Sequence, residues 1–491
     1  MVYRVAYMQT SNLRVAVSAG LSLFWVIFIW GFWGKGPYAL GINTALYLGA
    51  LLVFLVWILR SEGRYREHDL AWILPLGFMC LSFALYENPF FKMFSLVVFP
   101  AMLALFYNYA WIGDKEKKTW NYQFLAKMFE RTASIISAIG ESAKSFLGIL
   151  TVRGGGKKET TIRVITGVLV LLVALFVILP LLSTADAAFA DKLGGLYDFI
   201  REIFSTSIIG KVAMFLFLSV MTLSLVIAWA KPEELAEQPD ERTRDPIIWG
   251  ITLVGVLIFY AIFLWVQLDR LWVGELPFDF KETESLVKSG FWQLLVLSFL
   301  NLAVFFFLYR KTSAGVQKIL GLFTIASLLL LVSSAHRMWL YVTYYGFSYE
   351  KFYASYVVLF CAILFVWLLS RMITAKRANI VKFVAFQFLW MYALVALFPV
   401  EQFILKANVV LKEKPNSQIR LFEMTMLSPD VLAQIKDYQR AGVLEESKDY
   451  LNRESGRNPD EQFDWNPWIE EQEKILAEKK WYETTVSGWL Q

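Results

Sequence analysis

Apolar segments long enough to cross a membrane recur along this 491-residue chain, separated by shorter polar segments. A transmembrane helix needs about 20 mostly apolar residues to cross the hydrocarbon core of a bilayer. Eleven segments meet this length, at about residues 15–33, 39–59, 70–86, 90–112, 164–182, 212–230, 246–266, 290–309, 319–343, 352–370 and 383–400. The pattern predicts an all-α fold: a polytopic membrane helix bundle of about 11 transmembrane helices with a small helical extramembrane C-terminal tail.

The polar segments divide the chain into four parts. Residues 1–112 hold four N-terminal transmembrane helices, and residues 113–163 hold a cytoplasmic amphipathic helix followed by a Gly-rich hinge. Residues 164–400 form a seven-helix transmembrane core, and residues 401–491 form a soluble helical tail.

Lys and Arg are unevenly distributed between alternate loops, and this bias sets the orientation of membrane proteins. The second loop carries Arg60, Arg64 and Arg66, whereas the first carries only Lys35. The asymmetry recurs along the chain, although the sixth and seventh loops are nearly balanced. It predicts a cytoplasmic N-terminus and, because the number of helices is odd, a C-terminus outside.

The long fourth loop contains an apolar stripe at helical spacing, with Lys and Arg among the apolar residues. This combination is typical of a helix that lies on the bilayer surface. The alternative is a helix that packs on a cytoplasmic partner or on the loops of the bundle itself. The residues of the predicted membrane-surface helix are Trp120, Phe124, Met128, Ile135, Ile139 and Phe146.

The tail has two clear helix starts. Ser428 is a good N-cap before a proline, and Pro467 follows Asn466 at the start of a second helix. The tail also holds four tryptophans. We expect them to form its small core, or else to lie at the outer membrane–water interface or to bind a protein partner. They are Trp465, Trp468, Trp481 and Trp489.

Polar residues gather where several predicted helices reach the outer face. Ionisable residues at the ends of membrane spans are costly, so each needs a reason. Arg337 and Tyr341 are four residues apart and share a helix face. We expect an outer-face polar cluster, or else a set of interface anchors and structural salt bridges, formed by Asp186, Gln267, Asp269, Arg270, Gln293, His336, Arg337 and Tyr341.

Composition excludes several classes of protein. The chain is 57% hydrophobic and 18% charged, against about 45–50% and about 25% in soluble domains. Its formal net charge of +5 is small, and we expect the lipid bilayer and no nucleic acid as a partner. Two cysteines and two histidines without a cluster predict no metal site. No cofactor and no catalytic residues are predicted.

Ordered motifs across residues 160–440 carry a resemblance to a known family. They include Leu181 to Phe189 after a helix, Gln267-Leu268, Gly290-Phe291, and Ser333, Arg337 and Tyr341. They continue through Tyr345-Gly346-Phe347-Ser348 with Lys351, then Ile404 to Asn408 and Leu427 to Val431. The chain resembles the bacterial membrane proteins grouped as domain of unknown function 4153, with the sister group 4173. This resemblance implies a bacterial cytoplasmic (inner) membrane and supplies no activity.

The chain departs from the pattern of that family at three positions. Ala187 stands for Pro, and Ser348 and Lys351 stand for Thr and Arg. A lysine does not reproduce the planar fork of a guanidinium group.

Three functions fit the sequence to different degrees. The first is a non-enzymatic accessory, sensor or assembly partner, which binds protein through the C-terminal tail. The alternative is a transporter or lipid-handling membrane protein, although no clear internal repeat is seen. An enzyme is less favoured, because the sequence has no His-Glu pair of a zinc protease and no Gly-x-Ser-x-Gly elbow, although Asp186 and Asp269 are a conceivable acid–base pair.

Overall fold

The computed structural model describes residues 2–112, 122–150, 208–229, 244–271, 280–374, 379–415, 417–444 and 464–490. Helices dominate these residues. They are α1 (Val2–Phe28), α2 (Phe32–Lys35), α3 (Ile42–Ser61), α4 (Leu70–Leu85), α5 (Pro89–Ile112), α6 (Tyr122–Leu150), α7 (Ile208–Trp229), α8 (Pro246–Leu271), α9 (Phe280–Leu308), α10 (Ala314–Tyr345), α11 (Tyr349–Ile373), α12 (Ile380–Ala396), α13 (Val400–Lys412), α14 (Leu432–Arg440), α15 (Asn466–Ala477) and α16 (Val486–Trp489).

Eight helices in the described ranges are long and apolar enough to span a membrane, namely α3, α4, α5 and α7 to α11. Two bent pairs bring the number to as many as 10, since α1 with residues 32–39 bends by 46° and α12 with α13 bends by 68°. These spans coincide with ten of the eleven predicted segments. The remaining segment, 164–182, lies outside the described residues. The chain is an all-α, multi-pass membrane helix bundle.

The chain divides into two compact units, each with its own helices. The first unit comprises Met1–Leu235, Ala393–Phe398 and Glu471–Gln491. The second comprises Ala236–Tyr392 and Pro399–Glu470.

In the first unit, helix α6 packs along α7, and the two helices are antiparallel. Arg131 near the start of α6 donates to the carbonyl of Trp229 at the end of α7, whereas Phe146 stacks edge-on with Phe215 near the start of α7. Between them the Ser224 hydroxyl donates to the Ser142 hydroxyl at 2.9 Å. Small hydroxyl residues allow such close helix contacts in membranes.

The apolar stripe of α6 is the predicted membrane-surface helix, and much of it faces other helices. Phe124, Ile139 and Phe146 are buried, whereas Met128 and Ile135 are partly buried. Ile139 packs in a cluster with Val220 of α7, and Phe146 packs in a cluster with Val15 of α1. Trp120 and the Gly-rich hinge at 154–158 lie outside the described residues. The location of this helix on the bilayer surface stays a prediction.

The second unit has a continuous apolar core between helices α8, α9, α10 and α11. Phe291 and Phe305 of α9, Phe323 of α10 and Phe365 of α11 are almost completely buried there. One polar contact crosses this core, since the Tyr260 hydroxyl of α8 donates to the Asn301 side chain of α9 at 2.6 Å. This core holds α10 and α11 side by side, so that the turn between them has a fixed place at one end of the helices.

Candidate functional site

The turn between α10 and α11 is shaped by a glycine and a lysine. Gly346 ends α10 with φ +69°, a conformation that favours glycine, and its N–H donates to the carbonyl of Val342 at 2.9 Å. The Lys351 ammonium donates to the carbonyls of Tyr345 at 3.0 Å and Gly346 at 2.9 Å. A cation is favourable here because the last carbonyls of a helix carry partial negative charge.

Asn408 fastens this turn to helix α13 of the same unit. Its side-chain oxygen accepts from the N–H of Phe347 at 2.6 Å, and its amide donates back to the carbonyl of Phe347 at 2.9 Å. A Cβ at Gly346 would lie 2.7 Å from the Asn408 oxygen, so the close approach itself requires glycine. Asn408 is fully buried and satisfies a backbone segment that has no helix or strand partner.

Glu401, at the start of α13, joins two further segments. One oxygen of its buried carboxyl accepts from the Tyr349 hydroxyl of α11. The other accepts from the Ser428 N–H at 2.9 Å and from the Ser428 hydroxyl. Ser428 is the N-cap of a short 3-10 turn at Pro429–Val431 that leads into α14, as the sequence predicts, and its hydroxyl also accepts from the Asp430 N–H.

These contacts form one hydrogen-bonded junction in the second unit. We use that name for Gly346, Phe347, Tyr349, Lys351, Glu401, Asn408 and Ser428. The junction ties the α10–α11 turn, the start of α13 and the segment that precedes α14 to one another. Most of the hydrogen bonds of its polar groups go to one another or to the backbone.

A buried ion cluster lies in the first unit, at the turn between α4 and α5. The Glu87 carboxylate binds the ammonium of Lys92 at 2.9 Å and the ammonium of Lys479, and it accepts from the Thr485 hydroxyl at 2.8 Å. The side chains of Glu87, Lys92 and Lys479 are all at most 4% exposed. Burial alone would raise the pKa of the Glu87 carboxyl, but the two ammonium groups outweigh it and hold this pKa below its ordinary value.

A family model described as "Domain of unknown function (DUF4153)" matches residues 73–438, which is most of the chain. The chain belongs to the DUF4153 family. The hydrogen-bonded junction lies inside the matched region, whereas Lys479 and Thr485 lie beyond it. No curated protein and no solved structure matches this chain.

The outer-face polar cluster predicted from the sequence is only partly visible in this DUF4153 protein. Asp186 lies outside the described residues, and Gln267, Asp269 and Arg270 belong to the last turns of α8, where only the backbone is described. The remaining members lie on two neighbouring helices. Gln293 and His336 are exposed, Arg337 is partly buried and Tyr341 is buried.

One member of the predicted cluster contacts the junction. The Lys351 ammonium lies 4.2 Å from the centroid of the Tyr341 ring, close enough for a cation–π interaction. The assembly of the eight residues into a single cluster stays a prediction.

The four tail tryptophans separate into two pairs. Trp465 and Trp468 are buried, their rings meet edge-on, and the Trp468 indole donates to the carbonyl of Thr425 at 2.9 Å. They form a small core, as the first interpretation of the tail predicts. Trp481 and Trp489 are exposed instead.

The sequence did not single out Glu401 and Glu87, the buried acids of the junction and of the ion cluster. Glu401 directly follows the apolar segment 383–400, and Glu87 lies in a three-residue polar turn between two spans. Both positions are typical of ordinary helix ends. The short length of the turn that holds Glu87 was a signal of burial, because a turn of three residues gives this carboxylate little reach toward bulk water.

Proposed function

We propose that this DUF4153 protein is a non-enzymatic assembly partner in the membrane, which presents the segment 399–444 to another protein. The observation that supports this proposal is the hydrogen-bonded junction. Three segments that the family resemblance picks out converge there, and their polar groups are used in holding the backbone. A junction of this kind orders the segment 399–444 into a platform, which suits binding more than catalysis.

The platform carries an apolar side chain that a partner would cover. Met426 ends a 3-10 helix two residues before Ser428 and is 78% exposed, and Val410 of α13 is also exposed. Met424, two residues before Met426, receives the second hydrogen bond of the Asn408 amide, so the junction fixes the backbone beside the exposed side chain. Methionines adapt well to apolar partner surfaces.

The proposed location is the bacterial cytoplasmic membrane, with the N-terminus in the cytoplasm and the C-terminus outside. The distribution of Lys and Arg supports this orientation. A reporter that is active only in the cytoplasm, fused after Gln491, is expected to be silent. Activity of that reporter would reverse the assigned side of the tail.

The test of the proposed function compares two surface variants of the full-length protein. Met426→Glu adds one negative charge at the proposed contact, and Ala441→Glu adds the same charge at an exposed position after α14. Each protein is purified from native membranes in a mild detergent, and mass spectrometry identifies the bound proteins and small molecules.

A stoichiometric protein that is retained by the wild type and by Ala441→Glu, and lost from Met426→Glu, is the expected result. Equal loss from both variants would show that the contact is not at Met426. A wild-type protein that carries a lipid or a solute, and no protein, would overturn the proposal.

A second candidate is a transporter or lipid-handling membrane protein, and one observation favours it. The pair α12 and α13 bends by 68° between Ala396 and Val400. Broken spans of this kind line the substrate sites of many transporters, because the interrupted backbone supplies polar groups at membrane depth. A solute retained by the wild type and lost from Arg337→Ala would favour this candidate.

A further inference from the structure

The end of the chain, residues 478–490, is bound at the first turn of a membrane-spanning helix in the first unit. The N–H of Ile42 donates to the carbonyl of Thr484 at 3.1 Å, and the N–H of Asn43 donates to the carbonyl of Tyr482 at 2.9 Å. The first N–H groups of a helix have no partner within the helix itself. The tail carbonyls supply that partner, which places Tyr482 and Thr484 at the depth where the span α3 begins.

Two more spans fix the depth of the same segment. Glu87 lies between the end of α4 at Leu85 and the start of α5 at Pro89. Lys479 and Thr485 both bind the Glu87 carboxylate. Residues 478–490 are therefore bound at the ends of three membrane-spanning helices.

Glycines allow this segment to approach the bundle closely. A Cβ at Gly41 would lie 2.3 Å from the carbonyl oxygen of Glu483, and a Cβ at Gly31 would lie 2.6 Å from a Glu483 side-chain oxygen. The Lys35 ammonium binds the same carboxylate at 2.8 Å. The segment thus rests directly on the backbone of the bundle, with no room for a side chain between them.

Large apolar side chains of the same segment point away from these contacts. Trp481 is 70% exposed, Trp489 is 62% exposed, and Leu490 is also exposed. Trp481 directly precedes Tyr482, which binds the first turn of α3. An exposed indole at the depth where a span begins lies where tryptophan is enriched in membrane proteins, because its ring is amphipathic.

We propose that residues 478–490 are an interfacial anchor, in which Trp481 and Trp489 lie in the headgroup layer of the leaflet where α3 begins. The partner of this surface is lipid. Lys480, exposed beside Trp481, then lies at the level of the lipid phosphates, where a flexible ammonium is favourable. Binding to a protein would not require residues 478–490 to lie at the ends of three spans. Their position at those ends therefore favours lipid as the partner.

The experiment measures the depth of a spin label on the full-length protein. Cys80 and Cys361 are buried, so a single introduced cysteine is the reactive one among the described residues. Trp481→Cys and Trp489→Cys test the anchor, and Glu471→Cys, at an exposed charged position of α15, is the control. Each purified protein is placed in vesicles of phosphatidylethanolamine and phosphatidylglycerol, and collisions with oxygen and with a water-soluble nickel chelate are compared.

The expected result is a several-fold lower nickel accessibility and a higher oxygen accessibility at 481 and 489 than at 471. Equal nickel accessibility at all three positions would overturn the proposal. Labels that are open to nickel in the vesicles and protected only in native membranes would also overturn it, because they would assign the surface to a protein partner. Retention of the segment against α3 in each variant is checked by hydrogen exchange of residues 478–490.

Discussion

Glu87→Gln gives the sharpest test of how the end of the chain is held. The substitution keeps the shape of the side chain and the acceptor for the Thr485 hydroxyl, but it removes the negative charge. Lys92 and Lys479, whose ammonium groups both bind one Glu87 oxygen, are then left buried without a counter-charge. Lys479→Met is the companion variant, because it leaves Glu87 and Lys92 as a neutral pair.

The magnitudes follow from burial. Removal of one partner from a buried ion pair costs about 3–5 kcal/mol, because the remaining charge is not compensated. Loss of one hydrogen bond to a charged group costs about 1.5–3 kcal/mol, which applies to Lys479→Met. Since about 1.4 kcal/mol is a factor of ten, we expect Glu87→Gln to weaken docking of residues 478–490 by about 10²-fold or more.

The assay is hydrogen exchange of the full-length protein in nanodiscs, followed by mass spectrometry of peptides from residues 478–490. Detachment of a terminal segment costs less than global unfolding, so these peptides report the change directly. We expect protection of residues 478–490 to fall strongly in Glu87→Gln and to fall less in Lys479→Met. Protection in Glu87→Gln vanishes if the free energy of docking is smaller than the free energy that the substitution removes. The test rests on which variant loses more protection, and less on the size of either loss.

Asp437→Asn is the control, because Asp437 and Arg440 form an ion pair in which both side chains are more than 70% exposed. Exposed pairs contribute about 0–1 kcal/mol, so exchange in residues 478–490 is expected to stay as in the wild type. Unchanged protection in Glu87→Gln would refute the reasoning. A larger loss in Lys479→Met than in Glu87→Gln would refute it as well.

Three further predictions concern pH and the hydrogen-bonded junction. Because the lysines lower the pKa of Glu87, the contribution of this carboxylate to docking is full above the ordinary carboxyl pKa of 4.5 and is lost as the pH falls through the lower folded pKa. Hydrogen exchange across this acid range should show release of residues 478–490. Asn408→Ala leaves the partly buried N–H and carbonyl of Phe347 without their side-chain partner, which costs up to about 1–3 kcal/mol for each group. Thermal unfolding in detergent should show a lower midpoint for this variant, but not for Ala441→Glu. Lys351→Met should lower the unfolding midpoint in the same assay and Lys351→Arg should not, because any cation at the end of α10 can bind the two carbonyls. Equal midpoints for the two variants would contradict this role.

Some residues could be placed from the sequence because their environment is local. Ser428 caps a helical turn as predicted, since a hydroxyl followed by proline defines a helix start within a few residues. The helix that begins at Asn466 was predicted from Asn466-Pro467, because proline is favoured in the first turn of a helix. The apolar stripe of α6 was also evident, but the stripe defines only a face. The sequence offered bilayer or protein as its cover, and α7 and α1 cover part of it.

Other residues could be understood only after the chain had folded. Glu401 looks like the polar end of a span, yet its carboxyl binds Tyr349, 52 positions earlier, and Ser428, 27 positions later. Glu87 looks like part of a short turn, yet Lys479 reaches it across 392 positions. No local pattern marks such partners, because the cost of a buried charge depends on which groups surround it in space.

The sequence by itself determined ten of the spans, the all-α class and the membership of a membrane protein family. It could do so because crossing a bilayer imposes a minimum apolar length on each helix separately. The tertiary structure alone decided which polar residues are buried, how the hydrogen-bonded junction joins three segments, and where the end of the chain lies. These properties depend on distances between residues far apart in the chain, and only the packing of the helices sets those distances.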